Sequence, residues 1–173
     1  MSLSEKGSSG ASWRFAALLL ALPAAGCFQP LYGEAAHPGL PAQMRAIAVD
    51  PIKERIGHYL GNDLITDLNG TGANAETKYH LTVTVTTSNA TPTVTSQLQV
   101  SNAATVTGTA NYTLTPSDGT DPLVGVATSV AVYDRTAQRF ANLRAQRDTE
   151  IRLAKSLAEE IELRVAAWLG DKK

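Results

Sequence analysis

Apolar residues recur along this chain in three rhythms, and each change of rhythm marks an element. From Phe15 to Ala25 the run FAALLLALPAA is apolar almost without interruption. RAIAVD, Arg45 to Asp50, then predicts a short apolar strand. Beyond Pro51 the spacing becomes four. Ile56, Leu60, Leu64 and Leu68, with Tyr59 and Ile65 beside them, predict a helix from about Ile52 to Leu68. Proline suits the first helical turn, where its missing N–H has no partner to lose, and Asn69 and Gly70 suit the last.

From Lys78 the spacing drops to two. Tyr79, Leu81, Val83 and Val85 alternate with His80, Thr82, Thr84 and Thr86, the pattern of a strand buried on one face. A second run places Leu98, Val100, Ala104, Val106, Gly108, Ala110, Tyr112 and Leu114 on one parity, with an interruption near Asn102, and predicts a long, bulged strand. PSDGTDP, Pro116 to Pro122, supplies turn residues, and LVGVATSVAVYD returns as the third strand of a meander. The carboxyl end is a long helix from about Asn142 to Leu169, with Ile151, Ala154, Leu157, Ala158, Ile161, Val165 and Trp168 on one stripe. The order β-α-β-β-β-α predicts an α+β two-layer sandwich, with two helices packed on a four-stranded mixed sheet.

Composition narrows the functional classes. The 173 residues are 43% hydrophobic and 18% charged with a net charge of −1, which fits one globular domain and offers no general attraction to nucleic acid. The second parity of the strands is threonine-rich and weakly charged. Threonine favours strands without being greasy, so that face is either solvated or turned to a partner.

The lone cysteine, Cys27, gives no intrachain disulfide and no zinc or iron–sulfur spacing. It directly follows the apolar run, whose lead carries Lys6 and Arg14, and Pro23 would break a core helix there. Charged lead, short apolar segment and small residues are the layout of an export signal. Ala24, Ala25 and Gly26 before Cys27 resemble the bacterial lipobox, in which the thiol receives a diacylglyceryl group before cleavage; lipoboxes usually carry leucine where this chain has Ala24. The expectation is cleavage after Gly26 and lipidation at Cys27; the alternative is an ordinary signal with an incidental cysteine. Acyl chains contribute about 0.8 kcal/mol per buried methylene, so two or more anchor a protein stably without spanning. Residues 1–26 then form the signal and 27–44 the lipidated anchor and tether, with AAHPGLPA (Ala35 to Ala42) lacking any periodicity; 45–173 form a single domain.

GCFQPLYG behind an export signal, followed by strand, helix, threonine-rich meander and long terminal helix, resembles the LptE family of lipopolysaccharide-assembly lipoproteins in its alphaproteobacterial form. The resemblance spans the chain and is sharpest at Phe28, Pro30, Leu31, Tyr32 and Gly33; relatives commonly place a glycine between the cysteine and the phenylalanine, which this chain lacks. It implies a non-catalytic outer-membrane lipoprotein, lipid-anchored on the periplasmic side. Such proteins plug and support LptD, the β-barrel that delivers lipopolysaccharide to the cell surface. Implied partners are that barrel, lipopolysaccharide and the membrane through the acyl chains; no cofactor is implied beyond the lipid on Cys27.

Two rival readings remain open from the residues. An envelope lipoprotein that binds peptidoglycan or a secretion or efflux complex would share the same composition. An enzyme would need a site, and none is legible. His37 falls in the tether, His58 beside the core stripe of the first helix and His80 on the polar parity of a strand. GTGANA, Gly70 to Ala75, follows a helix and precedes a strand, the reverse of a phosphate-cradling turn. Arg135, Arg139, Arg144 and Arg147 cluster where the last strand meets the terminal helix and are candidates to meet lipopolysaccharide phosphates. The alternative is a solvated helix start in which Asp134, Asp148 and Glu150 pair with them.

Overall fold

The structure is a computed structural model that describes residues 38–70, 75–90, 103–136 and 138–172. Seven elements follow in order: α1 (Leu40–Arg45), β1 (Ile47–Val49), α2 (Glu54–Asn69), β2 (Tyr79–Ala90), β3 (Ala103–Pro116), β4 (Leu123–Asp134) and α3 (Arg139–Asp171). Gly39–Lys173 forms a compact unit, and the buried apolar side chains of the described residues, Leu40 to Leu169, all belong to it, so it carries its own core.

The sheet runs β1-β2-β3-β4. β1 pairs parallel to β2, with Ala48 opposite His80, while β2, β3 and β4 form an antiparallel meander. The two long helices lie on one face, where Leu81, Val83, Val85, Val106, Ala110, Tyr112 and Leu114 are buried on the predicted parity. This is the expected α+β arrangement in the expected order. The stretch before Ala103, where the bulge was expected, lies outside the described residues.

α2 buries Ile56, Leu60, Leu64 and Leu68, the four-residue ladder of the sequence, but Ile65 is exposed. The helix starts at Glu54 rather than Ile52, because Ile52 folds back over it: a Cβ on Gly57 would lie 2.6 Å from Ile52 Cγ2. Inside the stretch expected as tether, α1 buries Leu40 and Met44. Gly39, at φ 84°, supplies the left-handed residue before this helix, and a proline sits in its first turn, so residues that read as breakers serve here as its start.

α3 departs most from expectation. It begins at Arg139, and its buried ladder runs Thr149, Leu153, Leu157, Ile161, Val165 and Leu169, in steps of four. Each such step advances about 40° around a 3.6-residue helix, so the buried stripe winds over the twisted sheet instead of running straight. Ile151, on the straight stripe, is therefore exposed, and Trp168 is half-buried with its ring edge against Tyr79. Gly108 lets the helix approach: a Cβ there would sit 2.8 Å from Leu153 Cδ2 and 3.2 Å from Leu157 Cδ1.

Candidate functional site

Two surfaces stand out once the core is accounted for. The first is the sheet face turned away from the helices. On β2 and β3 it carries Thr82, Thr84, Thr86, Thr105, Thr107, Thr109, Asn111 and Thr113, as the alternation predicted. On β4 the chemistry changes: Val124, Val126, Val130 and Val132 face outward, Val124 being 70% exposed. Hydrophobicity alone would turn these valines inward. They are displaced because Gly125, Ala127, Ser129 and Ala131 are small enough to admit α3 and the Tyr112 ring, which lies directly over Gly125. The outer face is thus a hydroxyl field bordered by an apolar stripe.

β4 is an edge strand, and α3 covers part of that edge. Arg164 Nη1 donates to Val126 O at 2.6 Å, Thr128 N–H donates to Glu160 Oε2 at 3.1 Å, and Arg152 Nη2 donates to Val132 O at 3.4 Å. Side chains thereby satisfy backbone groups that would otherwise recruit another strand.

The second surface is the amino-terminal end of α3. An open groove of about 840 Å³ is lined there by Arg55 of α2 and by Phe140, Leu143, Arg144, Arg147 and Ile151, among others. Of the four candidate arginines, Arg144 and Arg147 line this groove; Arg135 lies just beyond β4, and Arg139 is the first residue of α3. The suggested pairing with local carboxylates is not what forms. Glu150 is engaged by Arg55, whose Nε and Nη2 donate to its two oxygens at 2.8 and 2.7 Å, and these bonds push the Arg55 pKa up. Asp148 accepts from Arg152 Nε at 3.0 Å. Among the described residues, Arg135, Arg139, Arg144 and Arg147 therefore have no carboxylate partner. Sequence reading missed Arg55, Phe140 and Leu143, although the helical spacing of 140, 143, 147 and 151 was available to find them.

In the helix layer, α2 and α3 share an acidic seam. Burial, then the charge of Asp67, raises the Asp63 pKa; burial, then Glu159, raises that of Asp67; burial, then Asp67, raises that of Glu162. Lys155 offsets this in part for Asp63 and Asp67. No group of three or more metal-ligating side chains forms among the described residues. His58 Nε2 lies 3.4 Å from Asn62 Nδ2 and His80 Nδ1 lies 3.8 Å from Asp50 Oδ1, both at exposed positions. Gly26, Cys27, Phe28, Pro30, Leu31, Tyr32, Gly33 and His37 lie outside the described residues. No helix among the described residues is long and apolar enough to cross a membrane.

Solved structures share this architecture. A lipoprotein from Caulobacter crescentus CB15 is 25% identical with a TM-score of 0.62, over 78% of this chain and 98% of its own. A minor lipoprotein from Acinetobacter baumannii shares the fold at 16% identity and a TM-score of 0.53, over 71% of this chain and 91% of its own. No curated protein matches the sequence. The family model described as lipopolysaccharide-assembly, LptE, matches residues 44–165, a span that runs from the end of α1 through most of α3 and takes in the whole sheet. The chain belongs to the LptE family of lipopolysaccharide-assembly proteins.

Proposed function

We propose that this protein is a non-catalytic outer-membrane lipoprotein, anchored through acyl chains on Cys27, that occupies and supports an LptD-type β-barrel during delivery of lipopolysaccharide to the cell surface. The observation that carries this reading is family membership over residues 44–165. The outer sheet face is consistent with it. A barrel lumen is polar and watery, and a plug must present hydrogen-bonding groups without large net charge. The threonine field of β2 and β3 has that character, and the valine stripe of β4 gives an apolar contact line of the kind that a partner wall can cover. The winding contact of α3 on the sheet keeps the domain compact, as a plug requires.

The test is recovery. Tagged protein is extracted gently from outer membranes of its own host, with Cys27→Ala as control, and copurifying proteins are identified by mass spectrometry. Near-equal recovery of a large LptD-type barrel is the expected result. Its absence from correctly lipidated protein would overturn the reading.

A further inference from the structure

None of the first ten residues of α3, Arg139 to Asp148, is fully buried: Ala141, Asn142, Ala145 and Gln146 are partly covered, and the first buried side chain of the helix is Thr149. On this end Phe140 is 84% exposed, Leu143 56% and Ile151 41%. Singly exposed apolar residues are ordinary on any surface, but these share one side. At 100° per residue, Phe140, Leu143, Arg144, Arg147 and Ile151 fall within a sector about 100° wide. Because the buried stripe winds, this sector is turned away from the core at this end of the helix, whereas the same sector farther along holds Ala158 and Val165 in the interior.

We propose that this end of α3 is a docking surface for an anionic phospholipid bilayer, with Phe140 and Leu143 entering the interface and Arg139, Arg144 and Arg147 meeting lipid phosphates. Charge complementarity selects this occupant. The three guanidiniums have no carboxylate partner among the described residues; Asp148 is engaged by Arg152 and Glu150 by Arg55, and exposed Asp134, at the end of β4, makes no ion pair with any of them. What faces outward is cationic and apolar in alternation along one helix side. An amphipathic helix of this kind lies in the interface plane, its apolar residues reaching roughly 5–10 Å into the headgroup and acyl boundary. Arginine suits the flanks, since its stem lies along apolar surface while its head bonds phosphate. Three charges and two large apolar side chains give reversible attachment, so this surface orients a domain near a membrane rather than anchoring it.

The experiment uses residues 39–173, the unit with its own core, and measures cosedimentation with three probes: phosphatidylcholine vesicles, the same vesicles with phosphatidylglycerol added, and lipopolysaccharide micelles. The expected result is binding to phosphatidylglycerol vesicles that weakens with salt. Arg139→Gln, Arg144→Gln and Arg147→Gln together lower the partition by about 100-fold. Phe140→Ser with Leu143→Ser lowers it more than tenfold at unchanged charge. None of the five side chains is buried, so urea midpoints should match wild type and separate lost docking from lost folding. Equal binding to both vesicle types, or binding unchanged in the variants, overturns the proposal. Binding confined to micelles would assign the face to the transported lipid, and loss of barrel copurification without any vesicle binding would assign it to a protein; either outcome overturns it. Barrel recovery with intact protein is read separately, so failure here leaves the proposed function standing.

Discussion

The bidentate contact between Arg55 and Glu150 ties the start of α2 to α3 beside the groove, and its energetic weight follows from geometry. Two charge-assisted bonds of 2.8 and 2.7 Å converge on a carboxylate whose side chain is 13% exposed, from a guanidinium side chain that is 55% exposed. Arg55→Met removes both donors and leaves a largely enclosed charge with only the Gln146 amide, at 3.5 Å. A hydrogen bond to a charged group contributes about 1.5–3 kcal/mol, and solvent screening of the exposed donor keeps the pair toward the lower end. The expected loss is about 2 kcal/mol, or roughly 8 °C in Tm for a domain of this size. Glu150→Gln removes the enclosed charge, so Arg55→Met should cost much less in that background, with a coupling of about 1 kcal/mol. Urea denaturation of the four proteins, with unchanged slopes, gives the cycle. A single-variant loss below about 0.5 kcal/mol, or strict additivity, would refute the reasoning.

Three further outcomes follow from other contacts. Gly125→Ala drives a methyl group into the Tyr112 ring and should lower stability by about 1–2 kcal/mol in thermal unfolding, although replacing a strand glycine in open space would raise it. The Asp67 carboxyl is held above its ordinary value of 3.8, so its charged form opposes folding at neutral pH; that penalty fades as pH falls through the raised folded value toward 3.8. Asp67→Asn should therefore raise stability in urea denaturation at pH 7, by no more than about 0.5 kcal/mol because solvent screens this exposed carboxyl, and make no difference near pH 3. Glu54 adopts φ 68°, a left-handed conformation that costs a side-chain-bearing residue about 1 kcal/mol, so Glu54→Gly should raise Tm or leave it unchanged rather than lower it.

What the sequence disclosed depends on whether the chemistry was local. Period-two alternation placed Leu81, Val83, Val85 and the even positions of β3 correctly, because a strand buried on one face allows only one phase. The α2 ladder was legible for the same reason. α1 was hidden because six residues are too few to display a period. The error along α3 came from treating a 33-residue helix as straight, whereas its contact winds with the sheet, exchanging Ile151 and Trp168 for Leu153 and Leu169. Outward valines on β4 depend on what Tyr112 and α3 require on the other side, which is tertiary information. At the basic cluster, the sequence supplied the arginines and their neighbouring acids, but the partners of Glu150 and Asp148, Arg55 and Arg152, are set by packing and short-range helix geometry respectively.

The central claim is that this domain works against the wall of an outer-membrane β-barrel, and photocrosslinking in living cells tests it most directly. A photoreactive amino acid is placed in turn at Thr84, Asn111 and Val126, all exposed on the outer sheet face. Light-dependent adducts with one large LptD-type barrel at these positions are the predicted result. Adducts only with another envelope complex, or none with a barrel from any of the three, would contradict the account.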